Sequence, residues 1–313
     1  MSRAFVFPGQ GSQAVGMGKD LADAFPAARE VFQEVDEALK QNLTKLMFEG
    51  PEDELTLTEN AQPALMSVSM AAMAVLKVEG GIDLSKVASF VAGHSLGEYS
   101  ALAAAGTFSL SDTARLLKTR GQAMQQAVPV GEGAMAALLG LDLDVAKEVV
   151  DEAAQGDVLA TANDNAPGQV VVSGKREAVE RAVDVAKEKG AKRAMLLQVS
   201  APFHCPMMAP AADVMAVALA AVELLPPIVP LIANVTAAPV EDPAEIRRLL
   251  VEQVTGMVRW RECCMTMRAK GVEKLVEVGS GKVLSGLARR IDKKLSASNV
   301  STPAGVEEFL ATL

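Results

Sequence analysis

Gly93-His94-Ser95-Leu96-Gly97 constrains this chain more than any other stretch. Ahead of it, Val87 to Ala92 is a short apolar run of the kind a buried strand needs, and behind it Glu98 to Ala105 is alanine-rich and reads as a helix up to Gly106. A G-x-S-x-G between a strand and a helix is a nucleophile elbow. The glycines let the backbone turn tightly with no Cβ in the way, so the serine hydroxyl stands exposed at the strand's C-terminal end. The helix N-terminus that follows supplies free N–H groups and a positive dipole end, suited to an oxyanion.

The rest of the chain alternates in the same way. Ala4 to Phe7 is a first strand, closed by Pro8-Gly9-Gln10-Gly11-Ser12-Gln13; helices follow at about 25–40, 62–78 and 112–126, the last with Ser111 as its expected N-cap. From Gly131 the texture changes. Strand at 134–141, helix at 144–155, strands at 158–162 and 169–173, helix at 177–189 and strand at 192–199 make a β-α-β-β-α-β order, the ferredoxin-like pattern. A long alanine-rich helix (210–224), a strand at 229–233, two helices flanking Trp260, a strand at 274–278 and a helix at 283–291 complete the pass. Short apolar strands between helices indicate a mostly parallel sheet. The expected fold is therefore α/β: a large domain from residues 1–127 and 200–313 carrying the hydrolase-like elbow, with a small ferredoxin-like domain at 128–199 inserted between turn-forming boundaries.

Composition narrows the function. A net charge of −9 argues against nucleic acid as a partner. The longest apolar stretch, Pro63 to Val78, is broken by Ser67, Ser69 and Lys77 and reads as a buried helix rather than a membrane span. Nothing at the N-terminus resembles a signal peptide. Cys205, Cys263 and Cys264 form neither a disulfide framework nor a zinc spacing, so a reducing cytoplasm and no metal are expected; a monomer is expected as well. Two glycine motifs invite misreading. Gly9-x-Gly11-x-x-Ala14 lacks the acid that a dinucleotide site needs at the end of a second strand, and Gly279-Ser280-Gly281-Lys282 lacks the upstream glycine and the Ser/Thr of a phosphate loop.

A serine hydroxyl needs a base, and the chain offers two histidines. His94 precedes the nucleophile, and its side chain is expected to point away from the pocket. His204, in the loop Ser200-Ala201-Pro202-Phe203-His204-Cys205-Pro206, is the better base by elimination, with a structural histidine as the alternative. No acid between Ser95 and His204 lies convincingly at a strand end, so a Ser–His dyad with the imidazole oriented by a carbonyl fits better than a triad. Cys205 reads as packing. Arg115 and Arg120 share a helix, and nothing local separates them.

Six ordered motifs carry a resemblance over essentially the whole chain: Phe7 to Gln13, Gly93 to Tyr99, Arg120-Gly121, Asn163-x-Asn165-x-Pro167-Gly168-Gln169, Phe203-His204, and Glu277-Val278-Gly279-x-Gly281-x-Val283-Leu284. Together they resemble the malonyl-CoA:acyl carrier protein transacylases, the loading enzymes of bacterial fatty-acid synthesis. The resemblance implies that Ser95 attacks the malonyl thioester and His204 takes its proton. It implies further that the N–H groups of Gln10 and Leu96 form the oxyanion hole and that Arg120 binds the malonyl carboxylate. Gln253 matches the position whose carbonyl orients the histidine, Asn165 a pocket-lining residue, and Phe203 the side chain of relatives that choose malonyl over methylmalonyl. Malonyl-CoA and CoA, and a phosphopantetheinylated acyl carrier protein, are the implied partners, with no cofactor. That carrier is acidic in the family, so Lys187, Lys189, Lys192 and Arg193, or Arg289, Arg290, Lys293 and Lys294, are candidate docking clusters on this acidic chain. Many relatives have Pro where this chain has Ser280. The alternatives are a thioesterase or other serine hydrolase, an acyltransferase of polyketide synthesis or of a malonate decarboxylase, and a non-catalytic carrier-binding module.

Overall fold

A computed structural model describes residues 2–313. Ten strands, β1 (Arg3–Phe7), β2 (Phe90–Gly93), β3 (Gly133–Leu139), β4 (Leu159–Ala166), β5 (Gln169–Lys175), β6 (Arg193–Leu196), β7 (Leu231–Ile232), β8 (Pro239–Val240), β9 (Lys274–Val278) and β10 (Ser296–Val300), form two sheets. The larger has the order β10-β9-β1-β2-β7-β8 and is parallel except where β8 runs against β7. β1 sits inside it, and its alternating side chains serve two cores. Phe5 and Phe7 enter one with Val91, Val276 and Val278; Ala4 and Val6 enter the other with Ala92, Leu275 and Trp260. Burial on both faces is what a parallel strand flanked by helices requires, and it explains why β1 is an unbroken apolar run.

The smaller sheet, β4-β5-β3-β6, is antiparallel, with helices Leu143–Ala154 and Arg176–Glu188 packed on it. This is the β-α-β-β-α-β arrangement expected from the sequence. Its helix-covered face has its own core, while Met135, Ala162 and Val171 turn the other way, into the core of the large sheet. The apolar helix Thr58–Gly80 is long enough to span a bilayer, but most of its apolar stretch is buried inside the protein.

Several boundaries differ from expectation. Val87 ends a helical turn capped by Asp83, and the elbow strand is Phe90–Gly93. Helix Leu110–Gln126 is capped by Ser109, whose Oγ accepts from Asp112 N–H, whereas Ser111 donates to Glu34. The strand expected at 229–233 shortens to Leu231–Ile232, and that at 192–199 to Arg193–Leu196. β10 and the closing helix Pro303–Leu310 went unread because β10 is Ser-Ala-Ser-Asn-Val at a sheet edge, with only Val300 fully buried. The C-terminal ends of β1 and β2 lie side by side, and loops emerging at that edge of an open α/β sheet are where its ligands bind.

Candidate active site

The elbow turns as tightly as the motif suggests. A Cβ on Gly93 would overlap the backbone of Gly97, and one on Gly97 would overlap the Phe7 carbonyl of β1. Ser95 itself, not a glycine, takes the left-handed conformation, with φ 54°. A non-glycine residue there carries strain that the surroundings must hold. Asn234 provides the hold: its Oδ1 accepts from Ser95 N–H at 2.8 Å and its Nδ2 donates to the Gly93 carbonyl at 2.7 Å.

His204 Nε2 lies 2.8 Å from Ser95 Oγ. Its Nδ1 faces two backbone carbonyls, Gln253 O at 2.9 Å and Gly256 O at 3.2 Å. Carbonyls only accept, so the ring proton sits on Nδ1 and the Nε2 lone pair faces the hydroxyl. Burial, and then the neighbouring Arg120 charge, push the imidazole down to about 3, which keeps it in the neutral, proton-accepting form.

Arg120 is 1% exposed and forms no ion pair among the described residues. Nη1 donates to Gln62 Oε1 at 2.8 Å; Nη2 donates to Gln253 Oε1 at 2.9 Å and to Ser95 Oγ at 3.1 Å; and the guanidinium carbon stands 5.6 Å from the Tyr99 ring centroid. Burial lowers its proton affinity, but a guanidinium stays charged in proteins. Arg115 points outward and pairs with Asp112. The two arginines that looked alike in sequence are thus an exposed surface charge and a buried one beside the nucleophile.

These groups line a cavity of about 360 Å³ between the two sheets, closed on the other side by Met135, Asn163, Leu197 and Phe203. Gln10 and Leu96 also line it, and neither N–H meets a backbone acceptor in a turn or loop. His94 borders the cavity, but its ring is engaged by residues outside the lining: Nε2 lies 2.8 Å from Asn165 Oδ1, the ring centroid stands 5.8 Å from that of Trp260, and burial keeps the imidazole neutral. One expectation needs correction: Asn165 does not line the cavity; Asn163 does. Asn165 lies beyond Asn163 on β4, beside the register shift between Asp164 and Ala166, and its amide is taken up by His94. Cys205 is buried, with Sγ donating to the Pro202 carbonyl, as packing requires. The first glycine loop packs Gly9 against the His94 carbonyl, and Ser280 of the second ties to that loop by donating to Ser12 O at 2.7 Å. Sequence reading missed Asn234, Gln62 and Glu98; all three are buried polar residues, and only Glu98 sits in a quoted motif.

The acyl transferase domain family matches residues 4–303. A malonyl CoA-acyl carrier protein transacylase of Bacillus subtilis (strain 168) is 47% identical over 311 residues, spanning 99% of this chain and 96% of that one. The crystal structure of an acyl-carrier-protein-S-malonyltransferase from Bartonella henselae superposes with a TM-score of 0.98 at 58% identity, covering 100% of this chain and 99% of that one. A malonyl-transacylase solved in complex with a type II PKS acyl-carrier protein superposes at 0.97 with 44% identity over the full length of both chains. The chain belongs to the malonyl CoA-acyl carrier protein transacylase family of acyl transferase domains.

Proposed function

We propose that the protein transfers a malonyl group from malonyl-CoA to the phosphopantetheine thiol of an acyl carrier protein, in two steps through malonyl-Ser95. The carrying observation is the line from Ser95 Oγ through His204 to the Gln253 carbonyl, with an unpaired buried guanidinium on the same hydroxyl. His204 Nε2 takes the Ser95 proton as Oγ attacks the thioester. The N–H groups of Leu96 and Gln10 receive the oxyanion. CoA leaves with the proton from His204, the carrier thiol enters and is deprotonated by the same nitrogen, its sulfur takes the malonyl group, and His204 returns that proton to the departing Ser95 Oγ.

Arg120 selects the acyl group. Each Nη carries two N–H bonds, and each already holds one amide oxygen, of Gln62 and of Gln253. One N–H on each remains, which suits a bidentate pair with a carboxylate. The Nη2 N–H that rests on Ser95 Oγ passes to the arriving carboxylate, and the hydroxyl is freed to attack. Phe203, at the cavity wall, limits room for a branch on the acyl carbon. Asn165 acts by holding His94.

For the carrier, the positive clusters divide. Lys187 is paired with Asp184, and Lys189 with Glu148 and Glu152. Arg289 to Lys294 sit where the chain enters β10, at the sheet edge opposite the elbow. Lys192 and Arg193 are exposed at the start of edge strand β6, which runs past exposed Met195 and Leu196 to Leu197 at the cavity wall. That end of β6 is the docking surface we favour. Fatty-acid synthesis in the cytoplasm, by a monomer, is the setting proposed. The likeness to a malonyl-transacylase of a polyketide carrier makes polyketide synthesis the second reading.

Intact-protein mass after brief mixing with malonyl-CoA tests the first step. A malonyl increment on wild type but not on Ser95→Ala, removed by carrier protein and not by water, is expected. An equal label on Ser95→Ala would overturn the mechanism, and release to water alone would make the protein a thioesterase. Transfer to carriers from fatty-acid and polyketide systems, compared side by side, separates the two settings.

A further inference from the structure

Behind the elbow lies a buried carboxylate that the transfer itself does not use. Glu98, in the first turn of helix Gly97–Ala104, is 1% exposed. One of its oxygens, Oε2, accepts both from Asn234 N–H at 3.0 Å and from Gln253 Nε2 at 2.9 Å. The other, Oε1, has no hydrogen-bond partner among the described residues.

The two residues held by Oε2 hold everything else. Asn234 takes the Ser95 N–H, and Gln253 Nε2 donates at 3.0 Å to the Ser95 carbonyl, so the strained nucleophile is gripped on both sides. With its Nε2 committed to these acceptors, the Gln253 amide must present Oε1 to Arg120, and the Gln253 main-chain carbonyl receives His204 Nδ1. We propose that Glu98 is a positioning residue whose one hydrogen-bonded oxygen, Oε2, acting through Asn234 and Gln253, sets Ser95, His204 and Arg120 in register with one another. The inference rests on the acyl-transfer reading of the site.

What the clamp needs is an acceptor at the right reach rather than a charge. Burial pushes the Glu98 carboxyl up to about 7, and a proton placed on the unpartnered Oε1 leaves Oε2 able to accept. Glutamine keeps an oxygen at that reach and puts its amino group where Oε1 stands. Aspartate keeps the charge but withdraws the oxygen by about 1.5 Å, one C–C bond.

The test is acylation of Ser95 by malonyl-CoA and by acetyl-CoA in Glu98→Gln and Glu98→Asp, beside wild type and Arg120→Ala. Glu98→Gln should fall by no more than about threefold, whereas Glu98→Asp should lose at least about tenfold, against the roughly hundredfold that a misplacement of about 1 Å can cost. In Glu98→Asp the rate constant should drop for both thioesters, and KM should rise for malonyl-CoA alone. Gln253→Met, which retains the main-chain carbonyl, should lose malonyl preference in the same way should either Glu98 variant fail to fold. A malonyl preference unchanged in Glu98→Asp or in Gln253→Met, or Glu98→Gln as impaired as Glu98→Asp, would overturn the proposal. Were Arg120→Ala itself to keep the preference, the reading of the site would fail, and the clamp with it. Loss in Arg120→Ala without loss in the other two would refute the clamp alone.

Discussion

Arg120 holds a full charge in the interior with only neutral oxygens as hydrogen-bond partners among the described residues, which costs free energy in the resting protein and becomes an asset when a carboxylate arrives. Arg120→Ala is therefore expected to weaken malonyl acylation by about 2–5 kcal/mol while raising the relative acceptance of acetyl-CoA; equal loss for both thioesters would remove the residue from carboxylate recognition. His204 gives a pH prediction. Its imidazole is pushed down to about 3, so the neutral base persists below the ordinary histidine value of about 6.5. Acylation by malonyl-CoA should stay flat from pH 8 to about 5, where an unperturbed histidine would already have lost most of its base form. A midpoint near 6.5 in kcat/KM would contradict the buried, carbonyl-held geometry. The folded state resists protonating this ring, so its contribution to stability is present above the unfolded value and declines as pH falls from about 6.5 toward 3. At this scale the sequence was half legible. His204 emerged from scarcity, but Arg120 could have been told from Arg115 by phase. Thr113, Leu117, Arg120 and Met124 follow the three-and-four spacing of a buried stripe, and Arg115 falls off it. Asn234 has no such mark, because its partners are backbone atoms far away in the chain.

Helix Leu110–Gln126 presents Arg120 at the right depth because it lies close on helix Thr58–Gly80. A Cβ at Gly121 would sit 2.5 Å from Glu59 Cα and 2.7 Å from the Thr58 carbonyl, and backbone cannot step aside as a side-chain tip can. Gly121→Ala should cost about 1–3 kcal/mol by overpacking and also raise KM for malonyl-CoA as the guanidinium shifts. A lower melting temperature with unchanged KM would show that the helix absorbs the strain elsewhere. β6 carries the other element-scale prediction. Arg193 lies about four residues, or about 13 Å, from the cavity wall at Leu197. Lys192→Glu with Arg193→Glu should raise KM for carrier protein and leave that for malonyl-CoA alone. A change in neither would move the docking surface off this strand. Elements with a clear apolar period were readable in sequence, and β10 shows the limit. Its pairing with β9 is made by backbone, and a polar edge strand leaves little pattern in its side chains.

Cavity and catalytic groups belong to two units that differ in how much they bury. The elbow after β2 supplies Ser95, helix Leu110–Gln126 supplies Arg120 and the loop before helix Ala209–Ala220 supplies His204; Met135 and Asn163 of the small sheet, with Leu197 just past β6, form the opposite wall. We propose that residues 128–199 form a domain with its own, weaker cooperativity. The helix-covered core of the small sheet comprises twelve buried residues, six of them alanine and none aromatic, whereas the large cores hold Phe5, Phe7, Tyr99 and Trp260. Hydrophobic stabilisation scales with apolar area removed from water, at roughly 25 cal/mol per Å², and an alanine core removes little per residue. The order of strands and helices made this unit visible in sequence, yet its attachment was not, because Met135, Ala162 and Val171 look like any inward strand residue until the second sheet lies beneath them. Native-state hydrogen exchange tests the division. Amides of helices Leu143–Ala154 and Arg176–Glu188 should open together, at a lower free energy than amides of β1, β2 and β9. Val172→Ala, which thins the small core, should speed exchange in those two helices and leave the central strands untouched. If both sets share one opening free energy and respond alike to Val172→Ala, the chain is a single cooperative unit. The wall around malonyl-Ser95 would then be as firm as the elbow that forms it.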